Sequence, residues 1–431
     1  MGIPHPQSHI AQCLAIKQCW ANIKEHCAKP SHPVSRIFVR RTGNRRLFEM
    51  NYKGAERFEI EEQEIGFLTG ANHVVHADIS SCFPSIYTHS IPWAIHGRQK
   101  AKQERNNLSL WGNILDRATQ GVSDGQTNGL LIGPHTSNVI SEIVLTKIDA
   151  ILLKKDYERL SRHIDDYSYY AKTYEEAEEF IRQLSMTLRE FELFLNEGKT
   201  KILPLPKPQF GNWIRELNTF QFPTEEIDFS TVRRFLDLAL HLAQEVGTSA
   251  VLNYAIKMIP PRLNNRAKRL FVRESINLSL SYPYLAPLLE DHIFAKHEYE
   301  GIEAAITIFT QELVKIGIER IYPDAIAYSL YYAIKYNIKF SLPESGLKKI
   351  VSIDDCICHV LLFEYATLWE LSTLREEIQK RANNLKKLDS IDQDPFWLLI
   401  YQVWPVPDLQ KNHSLLAELK AKKFSFIRFQ S

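Results

Sequence analysis

The chain has 431 residues, 45% apolar and 24% charged, which is room for two or three domains and a large buried core. No run of 18 or more apolar residues occurs, and the first residues lack the basic-then-apolar pattern of a secretory leader, so neither a membrane span nor export is expected. The net charge of +1 is low for a protein that would grip long nucleic acid through phosphates alone.

The N-terminal Met1-Gly2 carries Pro6 where a myristoylation signal wants Ser or Thr. Apolar Ile10, Leu14, Ile16, Trp20 and Ile23 recur near helical spacing and predict a helix over 8–28, ended by Ser31-His32-Pro33. Five arginines follow within eleven residues: Arg36, Arg40, Arg41, Arg45 and Arg46. They form a local basic patch, on a hairpin predicted over 36–48 with its turn at Gly43-Asn44. The β-rich run 73–79 reads as a core strand, and 138–153 as a helix. Residues 162–171 read as two strands joined by an acidic tight turn at Asp165-Asp166. A charged amphipathic helix over 175–194 and a strand over 200–205 complete this half.

Pro204 to Pro208 changes the texture and marks a linker, because proline continues neither a helix nor a central strand. Beyond it, helical periodicity dominates, with helices expected near 230–245, 248–258, 263–279, 299–317, 321–337, 351–367 and 369–386. Breaks at Pro260-Pro261, Pro283, Pro323 and Pro343 suggest stacked helical pairs, although no clean sequence repeat is present. The six cysteines form no CxxC pair and are expected to stay reduced. Cys356-Ile357-Cys358-His359 has the wrong spacing for zinc and reads as buried small side chains.

Two adjacent carboxylates between apolar strands repel, and each is costly to desolvate, so Asp165-Asp166 calls for a cation. Magnesium, a hard ion that takes carboxylate and phosphate oxygens, suits them. An ordinary polar turn is the bland alternative. Asp78 ends an apolar strand, where an acidic residue is out of place unless it caps a helix. Two-metal phosphoryl transfer needs carboxylates that converge from separate strands. Asp354-Asp355 opens a helical apolar segment, and a helix N-terminus explains it.

The order of these segments resembles the reverse transcriptases. Asp78-Ile79-Ser80-Ser81-Cys82-Phe83 is similar to their first catalytic motif, and Gly129 to Ser137 to the glycine turn that opens a long helix. His163-Ile164-Asp165-Asp166 resembles their Tyr-x-Asp-Asp turn, with His163 in place of the tyrosine, and Leu195-Asn196 to Lys199-Thr200 resembles a downstream segment. The resemblance covers 36–205 and implies that Asp78, Asp165 and Asp166 are catalytic and hold Mg²⁺, or Mn²⁺ in its place. It implies that Phe83 lies under the incoming sugar and favours deoxynucleotides, and that Gly129 and Gly133 allow close backbone approach. It further implies that some of Arg40, Arg41, Arg45 and Arg46 hold the triphosphate and that Lys199 assists the leaving pyrophosphate.

Met50 to Lys53, the run 77–97 and Ala101-Lys102 narrow the resemblance to the abortive-infection (Abi) and related defence reverse transcriptases of bacteria. That implies an α+β fold, with a reverse-transcriptase-like fingers and palm domain over 1–215 and an all-α, HEAT-like helical-repeat domain over 216–431. The implied activity is DNA synthesis from deoxynucleoside triphosphates in anti-phage defence, with two open modes. One is untemplated and protein-primed, leaving DNA covalently attached; the other copies a partner non-coding RNA. Eighteen tyrosines leave the priming residue open. A cytoplasmic homo-oligomer is expected. The alternatives are a catalytically inactive RNA-binding scaffold and an oligomerising interaction protein.

Overall fold

The computed structural model describes residues 2–28, 34–41, 55–208 and 211–428, without the side chains of 55–61, 390 and 391. The expected turn at Gly43-Asn44, the second hairpin strand, Arg45, Arg46 and the segment 50–53 lie outside the described residues. The chain divides into two compact units, Met1–Lys207 and Pro208–Ser431.

The first unit opens with α1 (Pro6–Gln18) and α2 (Trp20–Cys27), two helices where the periodicity predicts one. The break is at Cys19, where the backbone leaves helical geometry (φ −91°, ψ 6°) and the buried thiol reaches the Trp111 carbonyl. Next come α3 (Ala55–Leu68) and β1 (His73–Asp78). Four helices follow: α4 (Cys82–Ser85), α5 (Ser90–His96), α6 (Arg98–Gln103) and α7 (Trp111–Val122). Periodicity misses α5 and α7 for opposite reasons. Ser90 to Ala94 are all buried, so α5 has no polar stripe to contrast with an apolar one. On α7 the buried face carries the polar Asn113, Asp116 and Thr119, which blurs the apolar pattern.

The long α8 (His135–Leu153) buries residues around most of its circumference. After it come β2 (Leu160–His163), β3 (Asp166–Ala171), α9 (Tyr174–Arg189) and β4 (Lys201–Pro204). The Thr173 side chain caps α9 by accepting from the Glu176 N–H, and acidic Glu175 and Glu176 suit the helix dipole. The four strands form one antiparallel sheet in the order β2-β3-β1-β4. At its outer edge Ser35, just before the predicted hairpin, bridges Arg162 in parallel, whereas the described residues 36–41 belong to no strand, so the first expected hairpin strand does not form there.

The second unit is helical. Phe229–Val246, Ala250–Met258, Asn265–Ser281, Ile302–Arg320, Pro323–Lys335, Cys356–Leu368 and Ser372–Asn384 match the expected helices within a few residues. Pro323 stands at the first helical position, where its missing N–H costs nothing. Asn212–Thr219, Glu344–Val351 and the short helices of 397–421 were not anticipated. Asn212–Thr219 and Glu344–Val351 are only eight residues long, too short to register as a period, and Trp397–Val403 is apolar nearly all round and offers no stripe. Phe235, Phe271, Phe309, Tyr332 and Tyr365 anchor the core. Asp355 caps the helix after it by accepting from the Cys358 N–H at 2.8 Å, and Asp354 pairs with Arg381.

Candidate active site

Register brings the acidic residues together. β1 pairs with β3 so that Asp78 stands opposite Asp166, and the Ile79 N–H donates to the Asp165 carbonyl at 3.3 Å. One carboxylate oxygen from each of Asp78, Asp165 and Asp166 lies within 4.8 Å of the others, and among the described residues no other such group of three forms. Three convergent carboxylates, all oxygen donors, fit a hard divalent cation.

The turn that presents them is strained and braced. His163 pairs with Asp166, leaving Ile164 and Asp165 to close the hairpin, and Ile164 sits at φ 59°, a region that β-branched residues avoid. Beneath it Arg162 is fully buried. Its Nη1 donates to the Ile164 carbonyl at 2.8 Å. The remaining N–H groups donate to Glu142 and Asp149 of α8, with Nη2–Oδ2 of Asp149 at 2.6 Å. Asp149 also accepts from the Tyr167 hydroxyl at 3.0 Å. The turn is thus held to the central helix by a guanidinium whose every nitrogen is used.

A second brace comes from the segment before β4. Leu195 bridges Ile79, the Asn196 N–H donates to the Asp78 carbonyl at 2.8 Å, and the Asn196 side chain donates to Asp78 Oδ2 at 2.9 Å. Lys199 Nζ stands 3.2 Å from the same oxygen. Its side chain is 68% exposed against 13% for Asp78, so it meets the cluster from the solvent side.

Burial dominates the electrostatics of the cluster, and neighbouring carboxylates add to it. Burial raises the Asp165 carboxyl above its ordinary value, with Asp78 adding to the rise and Lys199 and Arg162 opposing it. Burial likewise raises Asp166, helped by Asp165 and Asp78 and opposed by Lys199. The neighbouring Cys82 thiol is pushed up to about 12 by burial and then by Asp165.

The glycine segment pairs through its backbone with the residues after Asp78. The Leu130 N–H donates to the Phe83 carbonyl at 2.8 Å and the Gly129 N–H to the Ile86 carbonyl at 2.9 Å. Gly129 has φ 92°, and a Cβ there would come within 3.2 Å of the Pro84 carbonyl, so both conformation and space require glycine. Gly133 has φ 127° and stands just before α8. The arginines are less concentrated than the sequence suggests. Arg36 is buried against Gln63 and Glu64, Arg40 lies over the Phe38 ring with its Cζ 4.9 Å from the centroid, and Arg41 is exposed. The residues that sequence reasoning left out of the site are Glu142, Asp149 and Arg162, together with Asn196, which stood in a recognised motif without a role. An arginine directly before the acidic turn, on a strand that should be apolar, was the available signal.

Residues 35–238 match the family model described as reverse transcriptase (RNA-dependent DNA polymerase). The carboxylates therefore lie in a reverse-transcriptase domain. That match runs past the end of the first compact unit, into the first helices of the second. No curated protein matches the chain. Among solved structures, telomerase from Candida albicans in complex with a fragment of telomeric RNA aligns at 12% identity and a TM-score of 0.28. The alignment covers 87% of this chain and 57% of that one, so the chain spans little more than half the length of that relative. The reverse-transcriptase domain also fits the small antiparallel sheet, with its acidic turn, among helices. No helix among the described residues is long and apolar enough to cross a membrane.

Proposed function

We propose that the chain is a nucleotidyl polymerase of the reverse-transcriptase type, in which Asp78, Asp165 and Asp166 hold divalent metal. The observation that carries this reading is the meeting of three carboxylates from two strands and a turn within 4.8 Å. Bound there, Mg²⁺ or Mn²⁺ supplies the charge that acidifies the attacking hydroxyl and neutralises the developing pyrophosphate. The protein supplies the rest. Asn196 keeps one Asp78 oxygen oriented, and Arg162 holds the turn that carries Asp165. Lys199 brings a mobile cation to the edge of the cluster, positioned to meet departing phosphate. Phe83, partly exposed and paired through its backbone to the Gly129 segment, is suited to reject a 2′-hydroxyl. Arg40, Arg41, Arg45 and Arg46 supply the cations for a triphosphate.

The finer reading is an Abi-type, defence-associated polymerase acting in the cytoplasm as a homo-oligomer, with a reverse-transcriptase domain over 1–215 and HEAT-like repeats over 216–431. Met50 to Lys53, the run 77–97 and Ala101-Lys102 support the subfamily. Packing of each long helix on its near neighbours in sequence, from Phe229–Val246 through Ser372–Asn384, supports a repeat-like stack.

Purified protein is incubated with labelled deoxynucleoside triphosphates and Mg²⁺ or Mn²⁺, with and without RNA templates. Incorporation is expected, and Asp165→Asn should lower it by about 10²–10³-fold or more, the scale for losing a principal charge-stabilising group. Label that stays with protein after denaturation marks protein priming, and dependence on template sequence marks copying. Incorporation by Asp165→Asn equal to wild type would overturn the assignment.

A further inference from the structure

The run from Tyr87 to Lys102 has no part in the site described above, yet it builds a cavity of its own. A pocket of about 350 Å³ lies between α5, α6 and α7, walled by Tyr87, His89, Trp93, Lys102, Arg105 and Asp116. Its chemistry is aromatic and cationic together. The Tyr87 ring stands edge-on to Trp93 with centroids 5.5 Å apart, and Lys102 Nζ lies 5.8 Å from the Trp93 ring centre. Lys102 and Arg105 are exposed and make no ion pair among the described residues.

The walls are built rather than incidental. Asp116, 7% exposed, accepts from His89 Nδ1 at 2.6 Å and from the Gln120 amide at 2.7 Å. A buried carboxylate thus fixes the imidazole, and His89 Nε2 is left for an occupant. The buried Asn113 amide donates to the carbonyls of Glu104 and Asn107, which pins the loop that carries Arg105. These are the polar residues that mask α7 in the sequence, and the pocket explains why they sit on its buried face.

We propose that this pocket binds one nucleotide of single-stranded DNA or RNA, its phosphate on Lys102 and Arg105 and its base against the half-buried Tyr87, while Trp93, buried and covered by the Arg98 guanidinium at 4.4 Å, backs the wall. Flat rings beside unpaired cations are what a single strand offers its phosphates and base faces to, without regard to sequence. Backbone pairing fixes the pocket's place: Tyr87 bridges Asn128, and the Thr88 N–H donates to the Thr127 carbonyl at 2.7 Å. The same two segments join Phe83 to Leu130, so the pocket continues the wall on which the nucleotide site rests. A strand held here is kept beside the transfer centre; that role, unlike the binding itself, rests on the polymerase reading.

The test uses the full chain, chelator and no nucleotides, so that it stands apart from catalysis. Binding of a fluorescein-labelled oligothymidylate is followed by anisotropy across salt concentrations. Lys102→Ala with Arg105→Ala should weaken it by about tenfold or more and lower the slope of log affinity against log salt by about 1.4, two single-strand phosphate contacts' worth. Lys154→Ala with Arg189→Ala removes the same charge from exposed positions elsewhere and should change binding less than about twofold. A 4-thiothymidine oligonucleotide should photocrosslink within Tyr87–Asp116. The inference is overturned if the two double variants bind alike, or if the crosslinks fall elsewhere. Loss of incorporation with binding intact would count against the polymerase reading alone.

Discussion

Asp165 and Asp166 carry carboxyls lifted above the ordinary aspartate value of about 4, first by burial and then by neighbouring charge, Asp78 acting on Asp165 and both Asp165 and Asp78 on Asp166. A carboxyl raised in the folded state stabilises the fold below its unfolded value, and that contribution is lost as pH rises through the folded one. Metal-free protein should therefore lose stability as pH climbs from about 4 through the raised values. A divalent metal held at this centre would bind the ionised pair, so on the proposed function the rise in melting temperature on adding Mg²⁺ should be larger at pH 8 than at pH 5. Asp165→Asn should melt higher than wild type without metal at pH 8 and respond little to Mg²⁺. Thermal scans at both pH values, with Mg²⁺ and with chelator, check all three outcomes. At this scale the three aspartates were legible from residue type and order. Asn196 and Lys199 were legible only as members of a motif, because their hydrogen bond and ion pair with Asp78 depend on a loop returning to the end of β1.

At the scale of elements, the acidic hairpin and α8 act as one piece because Arg162 ties them together. Its Ile164 contact offsets the positive φ that aims Asp165, and its bonds to Glu142 and Asp149 fix the hairpin's distance from the helix. Breaking a buried ion pair by removing one partner costs about 3–5 kcal/mol. Arg162→Ala should lose that much in urea denaturation. Arg162→Lys keeps the charge but not the fork, and should lose less stability while shifting the Mg²⁺ dependence of incorporation to higher concentration. A purely structural role would leave the metal dependence unchanged. The strands and long helices followed from period and punctuation, whereas α5 and α7 did not, since their burial is all-round or polar. The first strand expected over 36–41 does not form; the chain meets the edge of β2 one residue earlier, at Ser35.

For the whole molecule, each unit has its own hydrophobic core, one around Val75, Ile140 and Phe180, the other running through the helices from Leu217 to Ala417. Residues 208–431 should fold alone, giving a helical circular-dichroism spectrum and one cooperative thermal transition. A molten or aggregated product would show that this core depends on the first unit. Sequence alone determined that there would be a small sheet with an acidic turn, a proline-marked change of texture and a helical second half, because strand alternation, turn chemistry and helical period are local properties. Only the tertiary structure brought the three expected carboxylates within 4.8 Å, decided which arginine braces them, and made a histidine and a buried aspartate meet at an aromatic pocket. Those contacts join residues far apart in the chain, and strand register and helix packing, which no local pattern encodes, bring them within reach.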